Sequence, residues 1–211
     1  MDRRELLKMV AALTGGVVIG ANSFLTGCNT EDKTGTSLTF SENDIAFLDE
    51  VADTILPTTK TPGAKAAKVG QFMTVMVNDC YEEKNQKIFH EGMGKLDDAS
   101  KKKFSNTFMK ITPQERHDLL VQVDQETKDY QKKKAEFDKI QNEKEISEKS
   151  AGNTEFKKED YPQHYFIMMK QLTLLGYFTS EIGATQALRY VAVPGKYEGC
   201  IPYKKGDRAW A

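Results

Sequence analysis

The sequence predicts a mostly α-helical single domain of irregular build, with a charged helical insert, standing behind an N-terminal signal and tether. Three observations predict it. From Phe40 onward, apolar residues recur at three- and four-residue spacing. Two helix starts carry N-cap signatures, Ser41 with Asp44 and Thr112 with Glu115. Proline and glycine punctuate the intervals between the periodic stretches, as at Pro57 and at Pro62-Gly63.

The 211 residues suffice for one ordinary domain with a real core. Hydrophobic residues make up 39% and charged residues 29%, an average that hides a contrast between apolar helices and a very polar insert. The net charge of -1 gives no electrostatic reason to propose nucleic acid as a partner. Three cysteines cannot build a disulfide scaffold.

Residues 1–27 read as an address. Arg3 and Arg4 precede a modest apolar run rich in small residues, in the arrangement RR-x-L-L-K. That is the pattern of a bacterial twin-arginine export signal, although Asp2 stands where Ser or Thr is common. A basic leader for the general secretory route is the plainer alternative. An uncleaved span over Met9–Leu25 would be short and glycine-rich. The signal ends in Leu25-Thr26-Gly27-Cys28, which has the form of a lipobox. Small residues before a thiol suit lipidation of Cys28, and two or more acyl chains give stable anchoring. The expected location is therefore the periplasmic face of a bacterial membrane, by lipid anchor. Residues 28–39 would then be a polar tether. The twin-arginine route carries proteins already folded, commonly with a cofactor inserted, yet this chain shows no cofactor motif. Either it folds too fast for the other route, or it escorts a cofactor-bearing partner.

The domain is expected over residues 40–202. Phe40 is placed to staple onto Ile45, and Ile45, Leu48, Val51, Ala52, Ile55 and Leu56 form the inner face of a first helix that Pro57 stops. A turn-rich loop through Gly63 leads to a second helix, about 64–81, with Val69, Phe72, Met73, Met76, Val77 and Cys80 on its apolar face. Cys80 is thus expected to be buried and inert. Between Glu82 and Lys110 the pattern weakens to short helical pieces around Gly92 and Gly94, with Phe104 and Phe108 on one face. Thr112-Pro113-Gln114-Glu115 then opens a helix through Leu119, Leu120 and Val123 that continues past Tyr130, Phe137 and Ile140.

Residues 128–160 are the charged insert, read as an exposed helical extension or hairpin with a loose link over 150–154. A solvated elaboration is the plain reading and a docking arm the functional one. A further helix carries Tyr165, Met168, Met169, Leu172 and Leu175 inward.

The longest stretch without a charge run follows, LTLLGYFTSEIGATQALRYVAVPGKYEGC over 172–200. It is expected to break at Gly176-Tyr177-Phe178, to restart near Ser180 in a last helix holding Ile182, Ala187, Leu188 and Tyr190, and to run extended or irregular over Val191–Pro202. It has the character of a surface made to be packed against. Tyr177, Phe178, Ser180, Glu181, Tyr190, Pro194 and Tyr197 are its candidate interface residues. Residues 203–211 form a tail in which Trp210 is a further candidate anchor, unless it folds back on its own domain.

Candidate chemistry is sparse. His90, His117 and His164 lie far apart, with no H-x-x-x-H or C-x-x-C spacing, so no metal ligand is assigned. No G-x-S-x-G or G-x-G-x-x-G occurs. Ser180 and Glu181 are adjacent, and adjacent residues on a helix do not face each other. No catalytic or cofactor-binding residue is assigned.

Two separated motifs carry a resemblance. LLGYFTSEIG followed by ALRYVAVPGKYEGC, together with DTILPTTKTPGA over 53–64, is similar to the small third subunit of gluconate 2-dehydrogenase. The resemblance covers Phe40 to about Pro202, interrupted by the charged insert. The lipobox departs from the simplest members. The resemblance implies a non-catalytic subunit that supports folding, cofactor loading and export of a large FAD-binding subunit of the GMC type, which oxidises sugars or sugar acids. A separate cytochrome c or other acceptor takes the electrons in such systems. FAD is expected in the partner and no cofactor in this chain. The rival readings are a stand-alone enzyme or ligand-binding lipoprotein, and a structural envelope lipoprotein. With Cys28 lipidated, Cys80 and Cys200 remain in an oxidising compartment. They can pair with each other, or Cys200 can cross-link to the catalytic subunit; the core position expected for Cys80 favours the second.

Overall fold

The computed structural model describes residues 39–193 and 195–210. The export signal with Arg3 and Arg4, the lipidation site Cys28, nearly all of the tether, and Pro194 lie outside the described residues. Among the described residues there are five α-helices, a short π-helical turn and no strand.

Helix α1 spans Glu42–Ile55. Ser41 caps it reciprocally: its hydroxyl accepts the Asp44 N–H at 3.2 Å, and its own N–H donates to the Asp44 carboxylate at 2.8 Å. Both bonds satisfy donors that a helix start otherwise leaves orphaned. Phe47, Leu48, Val51 and Ala52 are buried. Phe40 makes aromatic contacts beyond its own helix. Its ring stacks on His90 at 4.0 Å and meets Phe89 edge-on at 6.1 Å, so it ties the start of α1 to a distant helix.

Helix α2 is Val69–Cys80, shorter at its start than the periodicity predicts. Residues 64–68 form turns instead, ending at Lys68 with φ 54. The Gly70 N–H donates to Asp49 at 2.7 Å, which seats α2 against α1. Cys80 is exposed, contrary to the burial expected from its stripe. The reason is position: it is the last residue of α2, one turn beyond the buried Val77.

Residues 83–104 correct the sequence reading most. They form one 22-residue helix, α3 (Glu83–Phe104), without a break at either glycine. Gly92 is a contact point: a Cβ there would lie 2.3 Å from Tyr165 Cβ. The missing side chain lets two helices approach, which outweighs glycine's poor helix propensity of about 1 kcal/mol. Phe104 and Phe108 do not share a helix face, because Ser105 adopts φ 59 and ends α3 between them. Phe108 instead inserts from the connecting turn and packs on Phe47 with centroids 5.1 Å apart.

Helix α4 runs Pro113–Ser150, 38 residues, opened by the Thr112–Glu115 capping box with Pro113 in the first turn. Only its first part enters the core, through Leu119, Leu120, Val123 and Thr127. The rest is the charged extension. The chain turns near Gly152 and returns along the helix as an extended strap. Lys158 pairs with Glu145 at 2.7 Å, Lys134 donates to the Tyr161 carbonyl at 2.8 Å, and the Tyr130 hydroxyl donates to the Pro162 carbonyl at 2.9 Å. Phe137 and Tyr161 pack at 5.3 Å, so the insert carries a small apolar seam of its own.

Helix α5, Tyr165–Thr179, is the centre of the domain. It touches each of the other four helices and the π-helical turn. Phe166, Met168, Met169, Leu172, Thr173 and Tyr177 are buried along it. Burying a Phe, Met or Leu side chain stabilises by roughly 1.5–3 kcal/mol, so this one helix collects much of the core energy. The break expected at Gly176 does not occur. A Cβ at Gly176 would lie 2.5 Å from the Phe72 ring, so this glycine, like Gly92, serves close packing. Leu175 points outward rather than inward and is exposed. Among the described residues, no helix is long and apolar enough to cross a membrane.

Candidate docking surface

The loop after α1 brings the first motif into position. Pro57 ends the helix and the chain doubles back, with the Ala64 N–H donating to the Leu56 carbonyl at 2.9 Å. The Gly63 N–H donates to the Thr58 hydroxyl at 3.0 Å. A side chain at Gly63 would meet Thr58 N at 2.6 Å and the Asp53 carboxylate at 2.8 Å, so the T-P-G-A sequence is what closes this loop. The second motif arrives on α5. The Tyr177 hydroxyl donates to the Pro62 carbonyl at 2.7 Å. Tyr177 itself lies in the core, 4% exposed, whereas its neighbour Phe178 is exposed. Leu56, Pro57, Thr59, Thr61, Phe178 and Ala187 line a cleft of about 260 Å³ where the two motifs meet.

Ser180 ends α5 and restarts the helix, as its sequence position predicts. Its hydroxyl accepts the Gly183 N–H at 3.0 Å and donates to the Tyr177 carbonyl at 2.6 Å. The restart is a π-helical turn, Gly183–Ala187. Glu181 is exposed, and Tyr190 lies beyond the turn rather than on it. From there the chain runs out and back. The Arg189 N–H donates to the Ala209 carbonyl at 2.8 Å, the Arg189 guanidinium lies over the Trp210 ring at 4.6 Å, and Arg208 donates to the Gln186 carbonyl at 2.6 Å. Trp210 therefore folds back on its own domain and closes a loop, while remaining half exposed.

That loop is bare. Tyr197 is 95% exposed, Val193 82% and Tyr203 75%. Of the fifteen exposed large hydrophobic residues among those described, ten lie between Leu174 and Trp210. The loop encloses a cleft of about 800 Å³ with Val191, Val193, Tyr197, Ile201 and Trp210 on its walls. Such a concentration makes this region the candidate interaction surface. Leu174, Leu175, Val191, Val193, Ile201 and Tyr203 belong to it and were missed by the sequence reading. A signal existed for the two leucines: apart from Lys170 and Gln171, α5 carries apolar side chains around most of its circumference, and such a helix needs cover on nearly every side.

The histidines do separate work. His90 stacks on Phe40, and His117 is exposed beside Asp118 at 3.5 Å. His164 caps α5: its Nδ1 accepts the Phe166 N–H at 3.3 Å and lies 3.1 Å from the Thr127 hydroxyl. Burial holds the His164 pKa below the ordinary imidazole value and pushes the Tyr165 phenol up to about 12. Among the described residues, no group of three His, Cys, Asp or Glu side chains could hold a metal ion. Cys80 and Cys200 are both exposed and both free.

A family model described as gluconate 2-dehydrogenase subunit 3 matches residues 42–195, close to the extent of the described helical domain. No curated protein and no solved structure matches the chain.

Proposed function

The chain belongs to the gluconate 2-dehydrogenase subunit 3 family, and from that premise we propose that it is the small non-catalytic subunit that assists folding, export and membrane attachment of an FAD-dependent, GMC-type sugar or sugar-acid dehydrogenase. One observation carries the reading: ten of the fifteen exposed large hydrophobic side chains among the described residues fall in the last part of the chain, from Leu174 on α5 through the C-terminal loop to Trp210. A subunit that shelters a larger partner needs such a face. Phe178, Tyr190, Tyr197 and Trp210 are its proposed anchors, with Glu181 and Ser180 on its polar rim and Pro194 within the same segment. Tyr and Trp are the side chains that most often dominate binding energy.

The remaining assignments follow from sequence. Arg3 and Arg4 would direct folded export, and Cys28 would take the lipid. FAD would reside in the large subunit, with a cytochrome c as a candidate electron acceptor. Cys200, exposed in the docking loop, is the better placed thiol for an intersubunit disulfide, and the exposed Cys80 is open to pairing as well.

Affinity purification of the tagged chain from solubilised membranes tests this. A yellow eluate containing a large flavoprotein in near-equal amount is expected. A colourless chain eluting alone at several salt and detergent conditions would overturn the subunit reading.

A further inference from the structure

The docking loop is held at its base. Among the described residues from Tyr190 to Tyr203, none gives or receives a backbone hydrogen bond. Tyr190, Val191, Val193, Tyr197, Ile201 and Tyr203 in that stretch are all exposed. A stretch with so few bonds and so little burial does not keep its shape unaided.

Three contacts close the base. The Arg189 N–H donates to the Ala209 carbonyl at 2.8 Å, and Arg208 donates to the Gln186 carbonyl at 2.6 Å. The Arg189 guanidinium lies 4.6 Å from the centroid of the Trp210 ring. Arg189 makes no ion pair among the described residues, and its Nε is buried without a hydrogen-bond partner. The electron-rich face of Trp210 is therefore the partner of this cation.

The tail reaches Arg189 through a tight turn. The Asp207 N–H donates to the Lys204 carbonyl at 3.0 Å, and the Asp207 carboxylate accepts the Lys204 N–H at 3.0 Å. Gly206, the third residue of that turn, has φ 96, a value that glycine takes without strain. Nothing lies within 4 Å of a would-be Cβ there, so Gly206 serves backbone shape alone. These contacts add little to the core, whose last buried member is Tyr177, with Ala187 packed on it in part. The family match ends at residue 195, so Arg189 lies inside it and residues 208–210 lie beyond it.

We propose that Arg189 and Trp210 form a clasp that sets the docking loop in its binding shape before the flavoprotein subunit arrives. The proposal rests on the reading that this chain serves such a subunit. A loop ordered only on contact loses its backbone freedom at the expense of affinity, whereas a loop closed in advance has already lost much of it. Arg189 is then a positioning residue, acting on the tail and not on the partner.

Trp210 is the only tryptophan of the chain, so its fluorescence reads the clasp directly. Arg189→Ala removes the cation, and Gly206→Ala strains the turn without touching Trp210 or any proposed anchor. In the isolated full chain, both should raise quenching of Trp210 by acrylamide and leave the melting temperature unchanged. In solubilised membranes, both should lower recovery of the flavoprotein by about tenfold. The double variant should be no worse than Arg189→Ala alone, because both changes open the same loop. Arg189→Lys keeps a cation for the ring and should restore part of both readings.

Raised quenching with full recovery of the flavoprotein overturns the clasp's part in docking and leaves the subunit reading standing. Unchanged quenching in Arg189→Ala overturns the clasp itself. Loss of the flavoprotein from Arg189→Ala but not from Gly206→Ala would make Arg189 a direct contact and also overturns it. A lowered melting temperature in both variants would make the clasp part of the fold instead. If no flavoprotein co-purifies with the wild-type chain, the subunit reading falls and this proposal falls with it.

Discussion

The Tyr177 hydroxyl donates a 2.7 Å hydrogen bond to the Pro62 carbonyl across 115 residues of sequence. This bond joins the end of α5 to the loop that closes on Gly63, and so joins the two sequence motifs on which the family resemblance was read. Tyr177→Phe removes the donor and keeps the ring. The variant should lose about 1–2 kcal/mol of stability, the usual cost of leaving a part-buried carbonyl without its partner. Urea denaturation measures it. An unchanged midpoint would mean that water replaces the hydroxyl and that the motifs are held together by packing alone.

The two glycines of α3 should respond in opposite senses. Gly92→Ala would put a Cβ 2.3 Å from Tyr165, against the central helix. Overpacking of that kind costs about 1–3 kcal/mol. Gly94 has nothing within 4 Å of its would-be Cβ. Gly94→Ala should therefore stabilise, by about 0.5–1 kcal/mol from helix propensity. Thermal melting of the two variants side by side decides the matter.

Acid should weaken the hinge between α4 and α5. His164 caps α5 as a neutral acceptor, and burial holds its pKa below the ordinary value, against the pull of Glu126 and with a smaller push from Lys95. The unfolded chain thus binds the proton first. The linked stability is fully present above about pH 6.5 and is lost as pH falls below that value. A proton on His164 would also set a positive charge at a helix N-terminus, where the dipole disfavours it. His164→Asn keeps a cap acceptor and removes the titration, so its urea midpoint should vary less between pH 7.5 and pH 5, values chosen to bracket the imidazole range. A variant that tracks the wild type across that range would remove His164 from the explanation.

Glu50 links three segments. Its carboxylate pairs with Lys65 in the turn after the motif loop and with Arg116 in the first turns of α4. Arg116 also donates to the Phe108 and Met109 carbonyls, at 3.1 Å each. Burial works to raise the Glu50 pKa, but Lys65 and Arg116 outweigh it and hold it below the usual carboxylate value. Its contribution is present above about pH 4.5 and fades as pH falls through the lower folded value. Glu50→Gln should cost about 1–3 kcal/mol at neutral pH, because Arg116 is left largely buried without its counter-ion. The difference from wild type should shrink in acid, which denaturation at several pH values reads directly.

Tyr197 offers a clean separation of binding from folding. It is 95% exposed, so Tyr197→Ala should leave the melting temperature of the isolated chain unchanged. In the proposed complex it should reduce recovery of the flavoprotein by tenfold or more, on the scale of about 1.4 kcal/mol per tenfold. Full recovery would move the anchor elsewhere on the surface, with Phe178 the next residue to change.

Local signals are what the sequence by itself determined. Both capping boxes, the stop at Pro57, the restart at Ser180 and the helical period of α1 and α4 are legible because each rests on residues within one or two turns of each other. The family motifs were legible for the same reason. Tertiary structure alone decided the rest. Gly92 and Gly176 read as helix breakers in sequence, yet both lie inside helices, because the close approach of Tyr165 and Phe72 outweighs a propensity cost of about 1 kcal/mol. Cys80 and Leu175 lie in apolar stripes, yet both are exposed, because no neighbouring element reaches them. Periodicity states which side chains share a face; which faces are covered depends on where other helices end.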